Sequence, residues 1–308
     1  MKQPQIIFIV GPTAVGKTDV AFEFAGRARS EIVSCDSMQV YREVSIASSK
    51  PSLAQRKKVP HHLVDVVSVE DGFDVAAFNT MAREAIDMIF KKGKCPLVVG
   101  GSGMYMQVLL DGIFEKGGPN AVVRRGLEER EKHEGLAVLY KELAAVDPKA
   151  AVKIHSNDAR RIIRALEVYQ TTQTPISELQ KDRSGLWGHF PVALFVLDRP
   201  REELYERINQ RVEKMFTDGL VEEIKALSSR NLSLTAQRII GVREVQAYLR
   251  GECDLEQAKE LMKMNTRRFA KRQMTWFRKD QRLRWLMMDQ DDSAPDIVEK
   301  ILKEMEKT

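Results

Sequence analysis

Residues 5–10, Gln-Ile-Ile-Phe-Ile-Val, run directly into residues 11–18, Gly-Pro-Thr-Ala-Val-Gly-Lys-Thr, and this junction decides the fold. The first half is a short unbroken apolar run, the pattern of a strand buried on both faces of a parallel sheet. The second half fits G-x-x-x-x-G-K-[ST], a loop whose glycines let backbone N–H groups converge on phosphate oxygens. From Lys17 to Arg29, Val20, Ala21, Phe24, Ala25 and Ala28 return at helical spacing. The loop therefore opens a helix, whose N-terminus adds partial positive charge. Strand, loop and helix in that order are the context the motif requires, and an accidental glycine turn would need neither neighbour.

Outward from this junction, apolar strands are expected at 31–35, 63–67, 96–101 and 192–198, with an amphipathic helix around 75–92. Apolar strands alternating with helices indicate a parallel sheet covered on both faces. Strand signals stop between roughly 115 and 190, where helical stretches near 121–133, 136–146 and 157–171 replace them. The expected fold class is α/β: a P-loop parallel-sheet core with helices on both faces and an all-helical insertion domain. Its parts are 1–114, the first part of the core; 115–191, the insertion; and 192–308, the second part with basic C-terminal helices.

A chain of 308 residues with 43% hydrophobic and 30% charged residues suits a folded globular protein and excludes a disordered one. No apolar run approaches the roughly 20 residues that span a bilayer, so no membrane segment is expected. Cys35, Cys95 and Cys253 stand too far apart for a disulfide framework or a zinc site, and a reducing, cytoplasmic compartment is expected. The net charge of +5 leans toward a polyanionic partner, but its distribution says more than its total. From Lys263 to Arg284 there are nine basic residues (263, 267, 268, 271, 272, 278, 279, 282, 284) against one acid, Asp280, with Phe269, Trp276 and Phe277 among them and Trp285 just beyond.

The loop does not say which phosphate it holds. Lys17 neutralises phosphate charge, and the Thr18 hydroxyl is placed to ligate Mg²⁺. A nucleoside-triphosphate hydrolase would normally follow an apolar strand with a metal-holding aspartate. The strand at 96–99 runs instead into Gly100-Gly101-Ser102-Gly103, which leaves Asp36 and Asp198 as alternatives. Asp36 opens Asp36-Ser37-Met38-Gln39-Val40-Tyr41 at a strand's carboxyl end, where ligands of open α/β sheets gather. Gln39 could bond an adenine edge with both amide groups, and a carboxylate nearby could take a proton from an exocyclic amine. The plainer reading is a loop whose aspartate caps the next element.

Arg160 and Arg164 are four apart and share a face of the 157–171 helix; they are either phosphate contacts or a solvated face with an Arg164–Glu167 pair. Arg207 and Arg211 repeat the spacing on the helix after Asp198, from which an arginine can reach back over the phosphate loop. The adjacent His61 and His62 would point to opposite faces of a strand, so structural roles are expected for them rather than metal binding.

Taken together, these residues resemble the bacterial tRNA dimethylallyltransferases. The resemblance runs almost end to end: GPTAVGKT at 11–18, DSMQVY at 36–41, PHHL at 60–63, GGSGMY at 100–105, NDARRIIRALEV at 157–168, RINQRVEKMFTDGLVEE at 207–223, IIGVRE at 239–244 and TRRFAKRQMTWFR at 266–278. A phosphate loop alone is unspecific, whereas this ordered series is highly specific. The resemblance implies transfer of a dimethylallyl group from its diphosphate to N6 of the adenosine 3′ of the tRNA anticodon, with Mg²⁺ as cofactor. It implies that Gly11, Thr13, Ala14, Val15, Gly16, Lys17, Thr18 and Arg211 hold the donor's diphosphate, rather than ATP. Asp36 is the implied general base, with Lys17, Thr18, Ser102 and Arg211 completing the catalytic set. Implied tRNA contacts are Asp36, Ser37, Met38, Gln39 and Ser102, then Arg124, Arg160, Arg161 and Arg164 in the insertion. Arg243, Arg267, Arg268, Lys271, Arg272 and Gln273 complete them.

Two positions depart from the family pattern. Ser102 stands where threonine is usual, and Val242 stands where an aromatic is usual, which puts a stacking role there in doubt. The C-terminal zinc finger of eukaryotic relatives has no counterpart, so no zinc is expected, and a monomer is. Alternatives are an adenylate dimethylallyltransferase acting on a free nucleotide, which would not need the basic 263–285 segment, a P-loop small-molecule kinase, and a non-catalytic RNA-binding protein, for which Asp36 would be dispensable.

Overall fold

The computed structural model describes residues 5–114 and 116–306. Its organising element is β1 (Ile6–Val10), every residue of which is buried. Helix α1 (Lys17–Ala28) follows the phosphate loop, then β2 (Ser30–Ser34), α2 (Leu53–Lys58), β3 (His61–His62), α3 (Val75–Lys91), β4 (Cys95–Gly100) and α4 (Gly103–Asp111). Five helices come next: α5 (Ala121–Glu134), α6 (Leu136–Val146), α7 (Pro148–Lys153), α8 (Ala159–Thr172) and α9 (Ile176–Leu179). The chain closes with β5 (Val192–Asp198), α10 (Arg201–Thr217), α11 (Leu220–Leu227), α12 (Val242–Leu249), α13 (Leu255–Phe277), β6 (Arg284–Met287) and α14 (Ala294–Glu306).

The six strands form one parallel sheet in the order β3-β2-β4-β1-β5-β6. Central β1 pairs with β4 and β5, setting Ile7 opposite Leu97 and Phe8 opposite Leu194. Flanked on both sides and covered on both faces, it has no use for a polar residue, hence its unbroken apolar run. Because all strands point one way, the ends of β1, β2, β4 and β5 meet along one edge, where open α/β sheets hold their ligands.

Two strands differ from expectation. The strand expected at 63–67 is only His61–His62, paired with Ile32 and Val33. Leu63 and Asp65 then take left-handed backbone, with φ of 62° and 60°, which ends a strand at once. The basic segment, expected to lie in C-terminal helices, is helical only as far as Phe277 and returns as edge strand β6.

The chain divides into two compact units, Met1–Leu109 with Trp187–Thr308, and Leu110–Leu186. The helical unit's edges lie at 110 and 186, where 115 and 191 were expected. Its two connections are pressed together: a Cβ on Gly185 would lie 2.0 Å from the Leu110 carbonyl oxygen. Within this unit Leu127, Leu139, Leu143, Ile162 and Leu166 form a separate apolar core. Beside it, the buried Glu167 carboxylate accepts from the Asn120 N–H at 2.8 Å, Arg124 Nη2 at 2.7 Å and Arg164 Nη1 at 2.9 Å, tying α5 to α8.

Candidate active site

A cavity of about 430 Å³ opens at the carboxyl edge of the sheet. Its lining includes Thr13, Ala14, Gly16, Lys17 and Thr18 of the phosphate loop, Asp36 and Gln39 beyond β2, Gly100 and Gly101 beyond β4, Arg207 and Arg211 of α10, and Phe269 and Gln273 of α13. The cations Lys17, Arg207, Arg211 and Lys214 outnumber the acids Asp19 and Asp36 in that lining. A cavity so charged is built for an anion.

The phosphate loop takes its shape from local backbone geometry and from arginines far away in sequence. Gly16 sits at φ 111°, a conformation that a side chain would strain, and so turns the chain into α1. Lys17 Nζ folds back on the Gly11 and Pro12 carbonyls at 2.9 and 2.7 Å. Burial lowers its ammonium to about 7; the Asp36 carboxylate opposes that shift and Arg211 adds to it. Three arginines then grip consecutive loop residues. Arg211 Nη1 donates to Thr13 Oγ1 at 3.0 Å, Arg207 Nε to the Ala14 carbonyl at 2.9 Å, and Arg199 Nε to the Val15 carbonyl at 2.9 Å. Arg199 is buried and also pairs with Glu203 and the Asp289 carbonyl. Sequence reading missed Arg199 because it stands alone at a strand end; its position directly after Asp198 was the available signal.

Asp36 faces the same cavity. Its Oδ1 accepts from the Met38 N–H at 2.8 Å and weakly from Gln39 N at 3.4 Å. Among the described residues its second oxygen accepts no hydrogen bond. The capping reading and the functional reading thus hold together, one oxygen shaping the loop and the other left for chemistry. Ser102 closes the neighbouring loop, its N–H donating to the Cys35 carbonyl at 3.2 Å and its own carbonyl opening α4. Asp198, the other strand-end acid, is absent from the lining; its Oδ1 accepts from the Arg199 N–H at 2.8 Å, and burial raises its carboxyl above the usual value.

Several residues expected to meet RNA are engaged elsewhere. Gln39 Oε1 accepts from the Ser34 hydroxyl at 2.9 Å and its Nε2 donates to the Ser49 carbonyl at 3.4 Å, so the amide expected at an adenine edge braces the cavity wall. Gln273 is buried, accepting from Thr13 N and donating to the Gly101 carbonyl, both at 2.9 Å. It staples α13 to two site loops instead of facing outward. Trp276, one turn on, fits against Gly103, where a Cβ would lie 2.0 Å from its Cδ1. Arg124 and Arg164 hold Glu167, and Arg164 also donates to the Gly117 carbonyl. Arg267 donates to Asn209 at 2.6 Å. Val242 is buried, which leaves no ring and no surface for stacking at that position.

Of the cations expected to meet RNA, Arg160 and Arg161 on α8, Arg243 on α12, and Arg268, Lys271 and Arg272 on α13 are exposed, with Arg272 over the Phe269 ring at 5.8 Å. His61 and His62 do diverge. His62 Nε2 meets the buried Glu31 at 2.8 Å, while His61 packs on Phe22 and lines the cavity.

Among the described residues no cluster of His, Cys, Asp and Glu could cage a metal ion by itself. The Thr18 hydroxyl in the cavity is a hard oxygen donor of the kind Mg²⁺ takes alongside substrate phosphates. Among those residues also, no helix is long and apolar enough to cross a membrane.

A sheet-edge cavity bounded by a phosphate loop, an arginine ladder and a free carboxylate oxygen defines a P-loop group-transfer enzyme. Comparison with known proteins sharpens the class. Residues 39–280 match the family model described as IPP transferase. The tRNA dimethylallyltransferase of Geobacter sulfurreducens is 42% identical over 284 residues, 92% of this chain and 91% of its own. That of Natranaerobius thermophilus is 41% identical over 312 residues, covering 99% and 93%. The crystal structure of the full-length tRNA isopentenylpyrophosphate transferase of Bacillus halodurans superposes with a TM-score of 0.70 at 35% identity, over 99% of this chain and 98% of that one. A eukaryotic dimethylallyltransferase captured acting on tRNA gives 0.79 at 30% identity, over 93% and 74%. This chain belongs to the IPP transferase family.

Proposed function

We propose that this enzyme transfers a dimethylallyl group from dimethylallyl diphosphate to N6 of the adenosine 3′-adjacent to the tRNA anticodon, releasing diphosphate. The observation that carries the reading is the meeting, in one cavity, of the phosphate loop, Arg211 and the free oxygen of Asp36. The diphosphate lies on the loop N–H groups with Lys17 and Arg211. The Thr18 hydroxyl would help hold Mg²⁺, which would supply further charge neutralisation on the leaving group. The apolar part of the lining, Ala21, Ile32, Pro51 and Val99, takes the hydrocarbon tail.

An exocyclic adenine amine is a weak nucleophile because its lone pair is delocalised into the ring. As N6 attacks the allylic carbon, its C–O bond to diphosphate breaks, and Asp36 takes the amine's proton. Lys17, Arg211 and the loop amides stabilise the charge that develops on the departing diphosphate. Ser102, at the end of β4, is a hydroxyl on the same edge. The base must first leave its stack to reach the cavity. The exposed Arg160 and Arg161, and separately Arg243, Arg268, Lys271 and Arg272, are read as contacts to RNA phosphates, which position without reading sequence. A monomer acting in the cytoplasm is part of the same reading.

The test is incubation with labelled dimethylallyl diphosphate, Mg²⁺ and unmodified tRNA, followed by nucleoside analysis. Label on the adenosine beside the anticodon is expected. Label on free AMP alone, or protection from unfolding by ATP but not by the prenyl donor, would sink the reading.

A further inference from the structure

One wall of the cavity is built from the loop at 45–51, whose Ser48, Ser49 and Pro51 line it. That loop contains no regular secondary structure, and only its later N–H groups bond within it, Ser49 N to the Ile46 carbonyl at 2.9 Å and Lys50 N to the Ser45 carbonyl at 3.1 Å. A single side chain supplies partners for the three N–H groups before them. Glu223 Oε2 accepts from the N–H groups of Ser45 at 2.7 Å and Ile46 at 2.8 Å, and its Oε1 from that of Ala47 at 2.9 Å. Successive N–H groups converging on one point form an anion-binding concavity, and here a carboxylate fills it. Hydrogen bonds with an ionised acceptor are about twice as strong as neutral ones, so the contact is a firm tie.

The helix that carries Glu223 explains why the tie matters. Leu220, Ile224 and Leu227 anchor α11 in the interior, and only Asp218 and Gly219 separate α11 from α10. Helix α10 places Arg207 and Arg211 on the phosphate loop. One pair of consecutive helices thus holds the phosphate side of the cavity through arginines and its 45–51 wall through a carboxylate. Nothing in the transfer chemistry uses Glu223, and it is absent from the cavity lining.

We propose that Glu223 is a positioning residue that fixes the 45–51 wall of the donor cavity and thereby sets how tightly the prenyl diphosphate fits and how strongly longer prenyl chains are refused. The inference rests on the donor reading given above. A wall tied to a rigid helix cannot yield to extra methylenes, whereas a loosened wall accommodates them at small cost. One methylene in a well-formed apolar pocket discriminates by about 10- to 200-fold, which bounds the selectivity at stake.

Glu223→Gln keeps the shape but replaces one acceptor oxygen by a donor and removes the charge. The expected result is a KM for dimethylallyl diphosphate raised about tenfold, with kcat at saturating donor within about twofold, because Asp36, Lys17 and Arg211 are untouched. Preference for dimethylallyl over geranyl diphosphate should fall by about tenfold. Ala47→Pro is the second variant: it removes one N–H of the concavity without touching α11. Ala47 follows Ile46 in a turn closed by Ser49 N to the Ile46 carbonyl at 2.9 Å, a position that tolerates proline. It should move KM and selectivity in the same direction, by about threefold. Unchanged KM and unchanged selectivity in either folded variant, beside an active wild type, would overturn the inference alone. A loss confined to kcat would overturn it too. A wild type that transfers no prenyl group would overturn the donor reading beneath it.

Discussion

Two arginine pairs in this chain carry the same spacing and come to different ends. Arg207 and Arg211 lie four apart on α10, and Arg160 and Arg164 lie four apart on α8. The first pair reaches the phosphate loop, at Ala14 and Thr13. Of the second, Arg164 is held by Glu167 and the Gly117 carbonyl, while Arg160 is exposed. Spacing puts two side chains on one face of a helix and does no more. What lies in front of that face decides the role. Beside α10 it is a loop presenting carbonyl and hydroxyl oxygens; on α8 it is the helix's own buried carboxylate, Glu167, whose charge demands a counter-ion.

The severest way to break this contrast is to show that the loop cavity is not where chemistry happens. Asp36→Ala should lower single-turnover transfer by about 10²–10⁴ while tRNA affinity stays within a few-fold. Near-normal transfer would remove Asp36 from the mechanism, and with it the meaning assigned to the α10 pair.

Arg211→Ala and Lys17→Ala come next. Each removes a cation from the proposed diphosphate site, and donor KM should rise by about 10- to 100-fold with thermal stability little changed. Wild-type donor affinity in both variants would place the donor elsewhere. Arg164→Ala should do the reverse. It leaves a buried carboxylate with Arg124 as its one cation beside the Asn120 N–H, so the helical unit should lose about 1–3 kcal/mol of stability, read by denaturant titration, with donor KM unchanged. An effect on donor KM as large as that of Arg211→Ala would erase the distinction between the pairs.

The core unit has its own buried acid, which sharpens the comparison through pH. Glu31 is buried on β2, and Lys94, His62 and Lys92 hold its carboxyl down to about 2 from 4.5 against the opposing effect of burial. A depressed acid stabilises the fold above its unfolded value and loses that contribution as pH falls through the folded one. The contribution is therefore present above about pH 4.5 and fades toward pH 2. With two partners partly exposed to solvent, it amounts to about 2 kcal/mol. Glu31→Gln should flatten the stability profile across that window, and an unchanged acid limb would show that the cluster carries no pH dependence.

The smallest expected effect concerns cations that have no ion pair among the described residues. Arg268, Lys271 and Arg272 are exposed on α13, unlike Lys263 of the same helix, which pairs with Glu213 of α10 and Glu260 of α13. The triple alanine variant should weaken tRNA binding and reduce the salt slope by about 0.7–0.9 for each lost phosphate contact, with donor binding unchanged. An unchanged slope in a folded variant would make this face of α13 merely solvated.

Local sequence settled what depends on local geometry. The apolar run at 6–10 and the glycines and lysine after it dictated a buried strand, a phosphate loop and a helix, because each needs only its neighbours. The parallel α/β class and the helical insertion followed from hydrophobic period alone. The ordered motifs identified the family. Two readings failed where tertiary contacts override pattern: the strand at 63–67, ended by left-handed Leu63 and Asp65, and edge strand β6, hidden in a basic segment.

The assignment of polar side chains was decided by the fold. Gln39 and Gln273 have the amides of RNA readers, yet both brace the cavity, because its walls left buried hydrogen-bonding groups that needed partners. Arg199 and Glu223 carry no motif, yet one shapes the phosphate loop and the other ties down the 45–51 wall. Sequence by itself determined the phosphate loop, the architecture and the family. Only the tertiary structure decided which partner each arginine, glutamine or glutamate takes. The physical reason is that a long polar side chain reaches in many directions, and the partner it takes is whichever unpaired group the packed chain sets within about 3 Å of it.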